Sequence, residues 1–240
     1  NSPSISSSCS VDILFSFGNF GLERLIDFGG RIDKIQPIGS LFMEYYWFEK
    51  PLNIETQYDI VFLGINVTNG VNRIDKYEGW SEDYYSSFEW LVKIKNQNPN
   101  LKIIVKHHAS AGIPDPIENG ILKNSGIAIA DKNMNSYLLS FSSKCVVTYG
   151  SSMGYEMNAH NITSLFIDPG YRCAFLPERE FDNLGTIRIT SYKQFEETIE
   201  KILVSKEFVN STFKSKSDLC LESSNTSNNI FNFLQDRNSE

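Results

Sequence analysis

A serine turn and a carboxylate one helical turn further on are the first groups in the chain that could do chemistry. Cys145-Val146-Val147-Thr148-Tyr149 is a short apolar, β-branched run, the pattern of a strand buried on both faces. Gly150-Ser151-Ser152 follows at once. Serine at a helix start accepts a hydrogen bond from an early backbone N–H, so a helix is expected from this turn. The first N–H groups of a helix lack internal partners and carry the positive end of its dipole, which suits a phosphate. Glu156 falls on the same helix face as the turn, where a carboxylate can accept from ribose hydroxyls. Taken alone, the fragment equally fits a plain cap at Ser151 and a solvated acid at Glu156.

Lys106-His107-His108 comes directly after a second apolar run, Leu101 to Val105. One cation and one imidazole at a strand end can offset the charge of a nucleotide phosphate in a partly dry cleft. The plainer reading is a loop histidine with no specific task. Arg172 and Arg179 lie in the segment after Leu165-Phe166-Ile167 and suit a phosphate or an acidic sugar, or simply a charged loop. Other chemistries fit less well. The only histidines are His107, His108 and His160, with no HExxH and no acids at ligand spacing, so no metal is expected. There is no Walker Gly-Lys-Ser/Thr and no GxGxxG after a strand. Gly150, Ser152 and Gly154 have the Gly-x-Ser-x-Gly spacing of a hydrolase nucleophile turn. A serine hydrolase is the weakest of the readings kept, because the one later histidine, His160, shares the serine's own helix.

Several elements must position these groups. Val11 to Phe17 and Ile32 to Ile38 read as strands, with a helix through Leu22, Leu25 and Ile26 that stops at Gly29-Gly30. Leu41 to Trp47 reads as a short aromatic helix. Tyr58 to Leu63 is a strong buried strand ending at Gly64. Ser81 reads as the cap of a helix that carries Tyr85, Phe88, Leu91, Val92 and Ile94 and ends before Pro99. A short helix over Ile117–Leu122, a strand over Ile127–Ala130 and a helix capped by Asn135 lead into the Cys145 strand. A strand over Thr186–Thr190, a helix capped by Ser191 and a helix around Ile230–Leu234 follow. From Tyr58 onward strands alternate with helices, the signature of a doubly wound parallel α/β sheet. Such sheets bind ligands at the carboxyl ends of their strands. Gly64, His108 and Ser151 each sit just past such an end.

Composition agrees with a folded chain. The 240 residues are 41% hydrophobic and 21% charged, with a formal net charge of −7. That balance argues for a packed core and against general binding of nucleic acid or an anionic membrane. Cys9, Cys145, Cys173 and Cys220 show no CxxC pairing and read as free thiols. No apolar run reaches the roughly 18–20 residues that span a bilayer, and no leader pattern opens the sequence. A cytoplasmic protein, peripheral at most at the inner face of a membrane, is expected.

The order of pieces resembles the C-terminal, nucleotide-binding half of a GT-B-fold glycosyltransferase. The nearest kinds are bacterial capsule and lipopolysaccharide Kdo or sialic acid transferases and the CDP-glycerol glycerophosphotransferases. Lys34-Ile35-Gln36-Pro37-Ile38-Gly39-Ser40 is similar to the handover between the two halves of such enzymes. Ile103-Ile104-Val105-Lys106-His107-His108-Ala109 is similar to their strand ending in Lys-Pro-His-Pro, with His107 and Ala109 in place of both prolines. Thr148 to Glu156 is similar to their Ser/Thr-rich turn and helix glutamate, with Tyr149 where retaining relatives carry a second glutamate. The resemblance implies a metal-independent transferase, or its donor half, with no cofactor. His108 would be the catalytic imidazole. Gly64, Lys106, His107, Ser151, Ser152, Glu156 and Arg172 would line the nucleotide-sugar site. A nucleotide-sugar donor, a glycan or lipid-linked acceptor and a missing N-terminal domain are the implied partners. A non-catalytic nucleotide- or glycan-binding module is the alternative. The expected organisation is the end of an acceptor-side domain over residues 1–50, a Rossmann-like domain over 51–205 and a helical tail over 206–240.

Overall fold

The structure, a computed structural model, describes residues 10–18, 31–49, 54–65, 80–108, 115–159, 162–171, 187–204 and 225–237. The helix expected around Leu22–Ile26, the segment Asn66–Gly79 and His160, Arg172 and Arg179 lie outside them. The chain divides into two compact units, Asn1–Leu52 with Ser215–Glu240, and Asn53–Lys214.

In the first unit, β1 (Ser10–Ser16) and β2 (Arg31–Pro37) run parallel, with Ser10 opposite Arg31 and Ser16 opposite Pro37. Gly39 then turns at a φ of 91°, a conformation that suits glycine. Ser40 caps the short helix α1 (Leu41–Met43), its Oγ accepting the Met43 N–H, and the chain continues as a π-helical segment, Glu44–Glu49. The helix near the C terminus, α7 (Thr226–Arg237), belongs to this same unit. Buried Glu44 accepts from the backbone N–H and the hydroxyl of Ser227 at its first turn, where a carboxylate also meets the positive end of the helix. Phe233 packs edge-on against Phe15 and lies beneath the Lys34 ammonium.

The second unit is built on six parallel strands: β3 (Tyr58–Leu63), β4 (Ile103–Lys106), β5 (Ala128–Ile129), β6 (Ser143–Thr148), β7 (Thr163–Ile167) and β8 (Ile187–Ile189), in the spatial order β5-β4-β3-β6-β7-β8. Counted from β3 this is 3-2-1-4-5-6, the doubly wound order of dinucleotide-binding sheets. Crossovers that lead outward from β3 and from β6, right-handed as the rule for parallel strands requires, place helices on both faces. All of β4 and β7, and most of β3 and β6, are therefore buried, which is why Ile60–Leu63, Ile103–Val105, Cys145–Val147 and Leu165–Ile167 are apolar runs. The connecting helices are α2 (Trp80–Gln97), α3 (Pro116–Leu122), α4 (Ser136–Phe141), α5 (Met153–Ala159) and α6 (Tyr192–Val204). Tyr84, Phe88, Leu91 and Ile94 of α2 join Phe195, Ile199 and Ile202 of α6 in one core with Phe62, Val105 and Val147. Ser191 and Asn135 cap α6 and α4 as expected. Ser81 does not cap α2, which already includes Trp80; with Glu82 and Asp83 it lies in the first turn, where the acids still meet the helix dipole. No helix among the described residues is long and apolar enough to cross a membrane.

Gly154 is needed for packing. A Cβ at that position would stand 2.5 Å from Phe166 Cζ and 2.8 Å from Cε1, closer than real side chains approach. Its absence lets α5 lie directly on β7. Gly120 in α3 faces open space. Gly154→Ala is expected to destabilise the protein by roughly 1–3 kcal/mol through overpacking. Gly120→Ala is expected to stabilise it by about 0.5–1 kcal/mol through backbone entropy. Urea unfolding of both variants checks the contrast, and a neutral Gly154→Ala would show that α5 does not need this close approach.

Candidate functional site

The strand order reverses between β3 and β6, so the crevice outside their carboxyl ends is where an open α/β sheet takes a ligand. Thr148, fully buried at the end of β6, spans that point. Its hydroxyl donates to Leu63 O of β3 at 3.0 Å and accepts the Ser151 N–H at 3.0 Å. The turn after β6 is thereby tied to the end of β3. Ser151 Oγ accepts the Met153 N–H at 3.3 Å, and the Gly154 and Tyr155 N–H groups go to the carbonyls of Ser151 and Ser152. The N–H groups of Gly150 and Ser152 have no acceptor among the described residues. Ser151 is half-buried and Ser152 exposed. The helix expected from this turn starts at Met153, and Gly154 of the hydrolase-like spacing is explained by its contact with Phe166.

On the other side of the crevice, Gly64 donates its N–H to Lys106 O. A Cβ there would lie 3.1 Å from Tyr84 Oη, 3.4 Å from Lys106 O and 3.6 Å from His107 Cα, so the glycine lets β3, β4 and α2 close up. His107 and His108 follow β4. His107 is largely buried, with Nδ1 at 2.5 Å from Glu118 Oε2, and His108 is exposed. Gly64, His108 and Ser151 thus end adjacent strands at one edge of one sheet.

Two residues of the expected set stand differently from a simple open site. The Lys106 ammonium is held by the carbonyls of Asp131 and Lys132, beyond β5 and on the far side of β4 from β3. Burial pulls its pKa below the ordinary lysine range, against the pull of Asp131 in the other direction. Glu156 is not solvated. It is buried at 2% exposure, and Tyr137 Oη lies 3.1 and 3.3 Å from its two oxygens. A helix position names a face, but only the neighbouring helix α4 decides that this face is covered.

Two clusters here escape sequence reasoning. Glu118 accepts from Tyr84 Oη at 2.6 Å as well as facing His107. Burial, then the Glu118 charge, push the Tyr84 hydroxyl well above its usual pKa, so it stays a donor. The Asp115-Pro116 start marks the first turn of α3, yet nothing local places Glu118 against β4. Asp168, at the end of β7, pairs with Arg188 Nη2 at 2.7 Å, and the Arg188 guanidinium lies 4.0 Å over the Tyr171 ring. Cys145 is buried and free, its thiol pushed up to about 12 by burial, and so unreactive. Among the described residues no three His, Cys, Asp or Glu side chains cluster in a way that could hold a metal.

No family model matches the chain, and no curated protein matches it. Solved structures do. The UDP-GlcNAc 2-epimerase of Neisseria meningitidis with UDP-GlcNAc bound superposes with a TM-score of 0.60 at 12% identity, over 92% of this chain and 61% of that one. MnaA of S. aureus in a co-structure with UDP gives 0.59 at 10% identity, over 95% and 60%. The wall teichoic acid polymerase TagF gives 0.59 at 12% identity, over 95% and 60%. The chain spans less than two thirds of the length of each. At these identities the likeness is one of fold: this is a GT-B-type α/β architecture with a Rossmann-like parallel sheet.

The Asp168–Arg188 pair closes the β7–β8 side of this edge, with Asp168 fully buried. Asp168→Ala would take its buried counter-ion from a guanidinium that is only 10% exposed, at a cost of about 3–5 kcal/mol. The Lys144–Asp59 pair is 2.7 Å long but its lysine is 43% exposed. Lys144→Ala should therefore cost less than about 1 kcal/mol. Chemical denaturation of the two variants measures both; comparable losses would contradict the burial argument.

Proposed function

We propose that the chain is the donor-binding half of a metal-independent GT-B-type glycosyltransferase that moves a sugar from a nucleotide sugar to a glycan or lipid-linked acceptor in bacterial surface-polysaccharide synthesis. The observation that carries this is the reversal of strand order between β3 and β6, with Gly64 on one side and on the other a serine turn with two amides that have no acceptor among the described residues. A crevice of this kind accepts phosphates on backbone N–H groups, because the amides are already oriented and need no reorganisation. The structures it resembles include two bound to UDP or UDP-GlcNAc and a wall teichoic acid polymerase, which favours a nucleotide sugar as ligand.

In this reading the Gly150 and Ser152 amides and the Ser151 turn hold the donor phosphates. His108, exposed at the end of β4, meets the charge that grows on the nucleotide as the sugar bond breaks. Lys106 acts at a distance, since its ammonium is engaged on the carbonyls after β5. The Glu156 carboxylate, expected on the ribose, lies buried on Tyr137. Arg172 would approach from the segment after β7. The work would be done on the cytoplasmic side, at the inner face of the membrane where lipid-linked acceptors lie.

Thermal shift against CMP, CDP, UDP and GDP tests the reading, with at least one diphosphate expected to raise the melting temperature by mass action. His108→Ala is expected to weaken donor binding or turnover by about 1–3 kcal/mol, the loss of one hydrogen bond to a charged group. Unchanged nucleotide binding and turnover in that variant would remove His108 from the site. Binding without transfer to any acceptor would favour a non-catalytic module.

A further inference from the structure

Side chains from three elements meet beneath the end of β4. Tyr84 of α2 donates to Glu118 Oε1 at 2.6 Å, and His107 Nδ1 lies 2.5 Å from Glu118 Oε2. Tyr84 Oη also accepts the Ile65 N–H at 3.2 Å, so the bonds run on to the residue after Gly64. Glu118 is only 4% exposed. An acid this buried is tolerated when both oxygens are met, and here both are met by groups that flank the crevice. A carboxylate in its ionised form can only accept, and facing it His107 Nδ1 is the donor. With the proton on Nδ1 alone, the ring offers a lone pair at Nε2. That atom is buried and has no partner among the described residues. A histidine kept only for packing normally satisfies its buried nitrogens or exposes them. His107 Cα also lies against Gly64, at the β3 side of the crevice.

We propose that Glu118 is a positioning residue for His107. It fixes the Nδ1–H tautomer, so that Nε2 accepts a hydrogen bond from a hydroxyl of the bound nucleotide sugar. The proposal rests on the nucleotide-sugar reading above, and it gives the two adjacent histidines different tasks: His108 faces phosphate charge, His107 faces a hydroxyl. The hydroxyl belongs to the ribose or to the sugar carried by the nucleotide.

Nitrogen-15 NMR of the full chain tests it, with His107 assigned among the three imidazoles by its loss in His107→Gln. The ligand-free protein should show the Nδ1–H tautomer at His107. Adding UDP should move its Nε2 resonance if the ribose is the donor, and only UDP-N-acetylglucosamine should do so if the sugar is. In Glu118→Gln the side-chain amide can face Nδ1, so the Nε2–H tautomer should appear and affinity by calorimetry should fall about tenfold. Tyr84→Phe leaves the Nδ1 bond in place and should keep the tautomer. If Glu118→Gln does not fold, His107→Gln carries the affinity comparison and should show a loss of the same order. The proposal is overturned if ligand-free His107 is the Nε2–H tautomer. It is also overturned if a ligand binds without moving the Nε2 signal, or if folded Glu118→Gln binds within about twofold of wild type. In those cases the nucleotide-sugar reading stands. If no nucleotide of the CMP, CDP, UDP and GDP panel and no UDP-N-acetylglucosamine binds, both fall.

Discussion

The Thr148 hydroxyl holds the two central strands at one level where their order reverses. It donates to Leu63 O and accepts the Ser151 N–H, with its own side chain fully buried. Two hydrogen bonds at a buried point are worth little singly, but an unmet partner there would be costly. The consequence is geometric. The turn after β6 cannot drift away from the end of β3, the strand that Gly64 follows. The side chain that Gly64 lacks, and the one that Gly154 lacks, let the surrounding helices and strands close to the same point.

Around that point the carboxyl edge of the sheet is a place of buried acids. Glu118, Glu156 and Asp168 are each within 4% of complete burial, and each is answered by a named group: His107 and Tyr84, Tyr137, and Arg188. Burying a carboxylate without such partners is prohibitive. The partners come from other elements, so each acid also fixes a tertiary contact. Among the described residues the edge is therefore highly polar in composition while offering few uncommitted groups. The turn amides and one imidazole nitrogen are among them, and a ligand with phosphates and hydroxyls is the chemical complement of that set.

Much of the second unit is legible in the string of residues. Tyr58–Leu63, Leu101–Val105 and Cys145–Tyr149 read as strands because both sheet faces are covered and each stretch is mostly apolar. Asn135 and Ser191 cap helices through bonds to residues two or three positions on, a range that local sequence controls. Less is legible at the site. Glu156 is on the predicted helix and near the predicted turn, yet its side chain lies against Tyr137, 19 residues earlier. Glu118 faces His107 across 11 residues, and nothing in either stretch announces the other. The C-terminal helix reads as a tail, but Glu44 meets its first turn from 183 residues away.

The sequence by itself determined the alternation of strands and helices, the parallel doubly wound class, and which strand ends carry Gly64, His108 and Ser151. Those depend on periodicity and on short-range capping, both of which are written in neighbouring residues. Only the tertiary structure decided the strand order that sets β3 beside β6. It also decided which polar groups are already matched to one another and which of two adjacent histidines is held by a buried acid. Those outcomes depend on contacts between segments far apart in the chain, where the energy of an unpaired buried charge, not local propensity, selects the arrangement.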